Sequence, residues 1–196
     1  MKVKFFKECQ KDNVLATPIL TKIIDQTLLI RNKVLNVGFC KAINGALKMV
    51  PTLITKLTLD SNGLEDKNTC ILIEGMAYQQ LFKVLTIRDN EVDESCIQAL
   101  APVLKRKMPS NLDELHLIDC KISWKTSLAL VTNLKQKCYL RKLSLVKASL
   151  NEFSIKVLGE ALKQMKTLTD LDISWNQLVP KQIIGLVEVL SQNKKL

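Results

Sequence analysis

Five segments of this chain share one pattern, and that repetition limits how it can fold more than any other feature. They are Ile54–Leu64, Phe82–Val92, Leu112–Ile122, Leu140–Leu150 and Leu168–Leu178. Apolar residues stand at the first, fourth, sixth and eleventh positions of each. The ninth position is Asn62, Asn90, Cys120, Ala148 or Asn176, so the steps are 28, 30, 28 and 28 residues. Leu28, Ile30, Lys33 and Leu35 make a weaker copy one step earlier. A unit this short cannot bury its own apolar face. Its copies must stack on one another to build a core.

Within each copy, alternation such as Leu57 with Leu59, or Leu171 with Ile173, predicts a short strand that buries every second side chain. The turn after the strand must satisfy its own backbone polar groups, and a side-chain amide at the ninth position can do so. Asn62, Asn90 and Asn176 fit that role, and Cys120 is a small substitute. Ala148 has no polar group and Lys33 does not suit a buried place, so a looser fourth copy and an exposed first one are expected. Helical stripes lie between the strands. Phe153, Val157, Leu158, Ala161, Leu162 and Met165 form one, and Ile97, Leu100, Ala101 and Leu104 another. Similar patterns occupy 37–49, 67–80, 125–136 and 181–191, and a helix near 14–24 is expected before the first strand. Asn151 and Pro180 read as helix starts. These stripes read as core, not as cofactor boxes.

The pattern resembles the leucine-rich repeat, L-x-x-L-x-L-x-x-N/C-x-L, and its length is similar to that of the ribonuclease-inhibitor-like class. The resemblance covers residues 25–196, clearest over 54–178. It implies an α/β fold and a single domain over 1–196, with 1–24 partly helical. The implied shape is a right-handed solenoid bent into a horseshoe arc, with a parallel sheet on the concave face and helices on the convex face. A helix is thicker than a strand, so such a stack bends toward its strands, and six strands span about 25 Å. This scaffold serves many unrelated tasks, so the function must come from its surface.

The chain has 196 residues, 47% of them hydrophobic, which rules out a disordered chain and gives enough length for a core. No apolar run is long enough to span a membrane, and the start Met1–Gln10 lacks the apolar stretch of a secretory signal. The formal charge is +10, which raises nucleic acid as a partner. Only Arg31, Arg88, Arg106 and Arg141 among the 29 basic residues carry the planar fork that base and phosphate recognition favours. Aromatic residues, at 5%, are too few for base stacking. No specific nucleic-acid partner is expected. The six cysteines, Cys9, Cys40, Cys70, Cys96, Cys120 and Cys138, form no C-x-x-C pair and read as reduced thiols of a cytoplasmic protein.

The side chains alternating with the buried leucines point away from the core. The charged ones are Arg31, Lys56, Arg88 and Lys142 against Asp60, Glu114, Asp170 and Asp172, so this face is neutral. The basic excess therefore lies elsewhere, at Lys105, Arg106, Lys107, Lys135, Lys137, Lys163, Lys166, Lys194 and Lys195. The neutral, mixed face suits a protein partner, and the basic convex side suits an acidic protein surface. These eight residues, with His116 and Trp175, are the candidate binding residues. Trp175 would anchor a partner at the rim of the sheet. Trp124 reads as a packing residue. His116 is the one histidine and has no catalytic partner pattern, and Asp170 with Asp172 lacks further ligands for a metal. Gly63, Gly75, Gly159 and Gly185 are isolated, and no phosphate loop, nucleophile elbow or metal-spaced cluster occurs. No enzyme activity, cofactor, metal site or membrane association is expected.

The chain stops at Leu196, in phase with the repeat and without a polar cap, so a protein covering that end is a further expectation. The expected function is a non-enzymatic interaction scaffold or assembly subunit, cytoplasmic and cytoskeletal, in its narrowest form a ciliary axoneme component. The alternative is a small-GTPase regulator resembling the Ran GTPase-activating protein, with Arg31 and Arg88 at the rim sites that family uses.

Overall fold

A computed structural model describes residues 2–11, 13, 23–105, 112–136, 138–191, 193 and 195–196. Six strand-helix units follow one another. The strands are β2 (Thr27–Arg31), β3 (Lys56–Asp60), β4 (Val84–Arg88), β5 (Glu114–Ile118), β6 (Lys142–Val146) and β7 (Asp170–Asp172). The helices that follow them are α2 (Val37–Met49), α3 (Asp66–Met76), α4 (Glu94–Leu104), α5 (Trp124–Leu134), α6 (Glu152–Gln164) and α7 (Pro180–Leu190). Before them come helix α1 (Lys2–Lys11) and strand β1 (Ile23–Ile24).

All seven strands form one sheet in sequence order. β2 to β7 run parallel, and β1 turns back antiparallel on β2. The register matches the repeat residue for residue. Leu57 lies beside Leu85, Leu85 beside Leu115, Leu115 beside Leu143, and Leu143 beside Leu171. Leu57, Leu85, Leu115 and Leu143 are fully buried, and they join the apolar stripes of the helices in one core. Strand period two and helix period 3.6 thus supply the two walls of a single apolar layer. Gly75 lets α3 approach α2 closely, since a Cβ there would meet the Asn44 backbone at 3.2 Å.

The ninth-position residues close the turns across neighbouring units. Asn90 Oδ1 accepts the N–H groups of Asn62 and Leu64, both at 3.1 Å, and its Nδ2 donates to the carbonyls of Leu59 and Arg88. Asn176 does the same for Ala148 and Leu150, donating to Leu145, Ile173 and Ser174. Asn62 Nδ2 donates to the Lys33 carbonyl at 3.0 Å. The Cys120 thiol donates to the carbonyl of Ile87 at 3.3 Å. At Ala148 the Ser127 hydroxyl of α5 donates to the turn carbonyl, and the strand register passes through this copy unbroken. Gln79, fully buried, plays a similar part without belonging to the repeat. It accepts the N–H groups of Leu53 and Ile54 and donates to the carbonyls of Leu47 and Val50.

Several expectations need correction. Phe153 is 68% exposed, and Ile155, two residues further along α6, takes the core position. Trp124 is 48% exposed on the first turn of α5, with the Lys125 ammonium 5.8 Å from its ring, so it is not a packing residue. Lys33 is half-buried, not exposed, and its carbonyl accepts the Asn62 Nδ2 bond. The helix that does precede the first strand is α1, where Phe5 packs edge-on against Phe39 at 5.8 Å. The helix expected at 14–24 falls mostly outside the described residues, as do Arg106, Lys107, Lys137 and Lys194.

Candidate functional site

The face of the sheet turned away from the core presents three rows fixed by the strand register. The first row is Thr27, Lys56, Val84, Glu114, Lys142 and Asp170. The middle row is Leu29, Thr58, Thr86, His116, Ser144 and Asp172. The last is Arg31, Asp60, Arg88, Ile118 and Val146. Nine of the ten candidate residues sit in these rows, and Trp175 lies at the corner between β7 and α7.

Charges pair between adjacent strands. Arg31 Nε donates to Asp60 Oδ2 at 2.8 Å, and the Ser61 hydroxyl donates to the other Asp60 oxygen at 3.1 Å. Asp60 is consequently buried, although it faces away from the core. Glu114 takes Lys142 at 3.3 Å and faces His116 Nε2 at 3.5 Å. His116 Nδ1 lies 2.9 Å from the Ser144 hydroxyl. Asp172 accepts the backbone N–H of Ser174, and Asp170 accepts the Thr169 hydroxyl. Lys56 and Arg88 form no ion pair among the described residues. At such partly exposed sites each pair contributes about 1 kcal/mol or less, so the pairs set orientation more than stability.

Ser144, His116 and Glu114 form a line that has the residue types of an acyl-transfer triad. The setting does not supply its chemistry. His116 and Ser144 sit mid-strand and Glu114 opens β5, where backbone N–H groups belong to the sheet ladder and do not converge as oxyanion donors. The three make a polar cluster on the outward face of the sheet. Four of the cysteines are shifted away from the reactive thiolate form. Burial pushes the Cys40 thiol up to about 12 and Cys120 up to about 11, and it raises Cys96 and Cys70 as well. Among the described residues no group of three or more His, Cys, Asp or Glu is placed to hold a metal ion, and no helix is long and apolar enough to cross a membrane.

The corner after each strand carries the detail that sequence reasoning missed. Asn32, Ser61, Asp89, Asp119, Lys147 and Trp175 all stand there with φ between 47° and 60°. Left-handed backbone suits Asn and Asp, whereas a bulky residue there is an outlier. Trp175 is that outlier, and it is 77% exposed. Beside it lies a hollow of about 530 Å³, floored by Ile118 and Val146 and bounded by Arg88, Asp89, Asp119 and Lys147. Lys147 and Asp119 pair at 2.7 Å across neighbouring corners. The signal for these residues was the fixed offset from the strand end. Reading outward positions by alternation alone stops one residue short of it. A second hollow of about 550 Å³ lies over His116, Lys142, Ser144, Asp170 and Asp172.

No protein-family model matches the chain, and no curated protein matches it by sequence. Solved structures do resemble it. The Leiomodin-1 Actin-Binding Site 2 superposes with a TM-score of 0.62 at 16% identity, over 81% of this chain and 90% of that one. The Caenorhabditis elegans tropomodulin C-terminal domain gives 0.58 at 14% identity, over 79% and 92%. Likeness at these identities is likeness of fold, a leucine-rich-repeat-like α/β domain with a mostly parallel sheet.

Proposed function

We propose that this protein is a non-enzymatic interaction module of the cytoskeleton, docking a protein partner on the open face of its sheet, with actin the first partner to test. The observation that carries the reading is the face itself. It is a neutral, mixed surface with two hollows and an exposed tryptophan held in left-handed backbone, an arrangement that rewards a shaped protein surface. If the strands line the inner curve of a right-handed horseshoe, as the repeat resemblance implies, that surface is concave and wraps its partner. The fold shared with the leiomodin-1 actin-binding site supports the cytoskeletal part.

Co-sedimentation with filamentous actin and a binding assay with monomeric actin test it, using the full chain beside the Asp170→Ala/Asp172→Ala/Trp175→Ala variant. The expected result is binding of one actin form, weakened about tenfold or more in the variant at unchanged melting temperature. Binding to neither form overturns actin as the partner. Binding unaffected by the variant overturns this face as the site. The axonemal location is a narrower form of the same reading, and a tagged chain that stays off axonemes removes it. For a small-GTPase regulator, the exposed Arg88 is the favourable feature and the engagement of Arg31 by Asp60 the unfavourable one. A GTP-hydrolysis assay that shows no acceleration ends that alternative.

A further inference from the structure

On the helix side of the molecule, α6 and α7 leave a groove of about 430 Å³ between them. Two stripes at helical spacing line it. One is Glu152, Ile155, Lys156, Gly159, Glu160 and Lys163 of α6, and the other includes Gln182, Gly185, Leu186 and Val189 of α7. Its floor is apolar, through Ile155, Leu186 and Val189. The glycines keep it open. A Cβ at Gly185 would meet nothing within 4 Å, and one at Gly159 would touch only Val189, at 3.5 Å. Neither close packing nor left-handed backbone therefore explains Gly185, yet glycine inside a helix is unfavourable relative to alanine. Its physical effect is to deepen the groove.

The rim is basic. Lys156, Lys163 and Lys181 stand along it, and Lys135 holds Glu160 at 2.5 Å, so four lysines meet two glutamates. The backbone groups of two adjacent helices are satisfied internally, so an added strand would find no edge to pair with. A third helix laid into the groove fits both its shape and its apolar floor.

We propose that this groove takes one amphipathic helix of a partner protein, with apolar residues on one face and acidic residues on its flanks. The site lies on the helices, so the proposal stands apart from the open-face reading. Glu152 and Glu160 on the rim, and a floor recessed between two helices, disfavour a flat anionic lipid surface.

The test uses the full chain and a helix-stapled peptide of about 14 residues, ~21 Å long. The peptide carries leucines at three- and four-residue spacing and glutamates on both flanks. The comparison probes are the same peptide with lysines for glutamates, and phosphatidylserine vesicles. The expected result is binding of the acidic peptide, weakened about tenfold or more by Gly185→Leu, which fills the groove. Gly185→Ala should raise the melting temperature by about 2–4 °C. Lys156→Glu with Lys163→Glu should reverse the preference in favour of the lysine peptide. Absence of binding, binding indifferent to Gly185→Leu or to the charge reversal, or capture of vesicles in place of peptide would each overturn the proposal. Loss of actin binding in the open-face variant leaves this result untouched.

Discussion

Asn90 shows how one side chain can hold two units together. Its amide meets two backbone N–H groups of the preceding turn and the Leu59 carbonyl in places closed to water, and the Arg88 carbonyl in a half-buried one. Removing it takes the acceptor from the buried N–H groups of Asn62 and Leu64, whereas the Arg88 carbonyl keeps its bond from the Ser61 N–H. Asn90→Ala is expected to cost about 3 kcal/mol, read as a lower urea midpoint at unchanged slope. The opposite substitution is informative at Ala148, which offers no acceptor to the Cys120–Ile122 turn before it. Ala148→Asn is expected to gain about 1 kcal/mol in the same measurement, because it restores the bonding that Asn176 provides one unit later. A loss there would mean that the buried alanine has no room for the amide.

Helix α4 illustrates how a unit starts. Asp93 precedes it, accepting the N–H of Cys96 at 2.9 Å and the hydroxyl of Ser95 at 2.7 Å. Burial works to raise its pKa, and those hydrogen bonds outweigh burial and hold the carboxyl below its ordinary value. The folded value is thus lower than the unfolded one. The stabilisation is complete above the unfolded value, near 3.9, and fades as pH falls through the folded value. Asp93→Ala is expected to cost about 1 kcal/mol at neutral pH, with the gap to the native chain closing below about pH 4 in denaturation curves. Asp93→Asn should keep the cap and lose that acid dependence. The capping Asn151 of α6 and Pro180 of α7 were legible in the sequence for the same physical reason. So were the strands and their order, because Leu57, Leu85, Leu115, Leu143 and Leu171 recur at spacings that only stacking satisfies. Helix somewhere in 1–24 was expected, but the place of α1 and the presence of β1 were not legible. Both elements cover the first unit instead of repeating it, so periodicity says nothing about them. The candidate face was legible in its members and not in its pairings. Alternation gave Asp60 an outward direction, and only the register put Arg31 beside it and closed it from water.

At the scale of the whole molecule, packing runs between successive units, β strand on β strand and helix on helix. Stability in such a stack is a sum over neighbours, and it need not be uniform. β7 pairs over three residues where β3 to β6 pair over five, and α7 contributes one buried side chain, Leu186. Native-state hydrogen exchange should therefore release α7 and β7 first and the amides of β4 and β5 last. Uniform protection along the sheet would show that the units unfold as one body instead. The left-handed corners have a different meaning. Five kinds of side chain, from serine to tryptophan, occupy one backbone shape at six corners, so the scaffold fixes where each projects and leaves its chemistry open. A binder built on this plan could be retargeted by rewriting six letters of its sequence, with the interior left as it is.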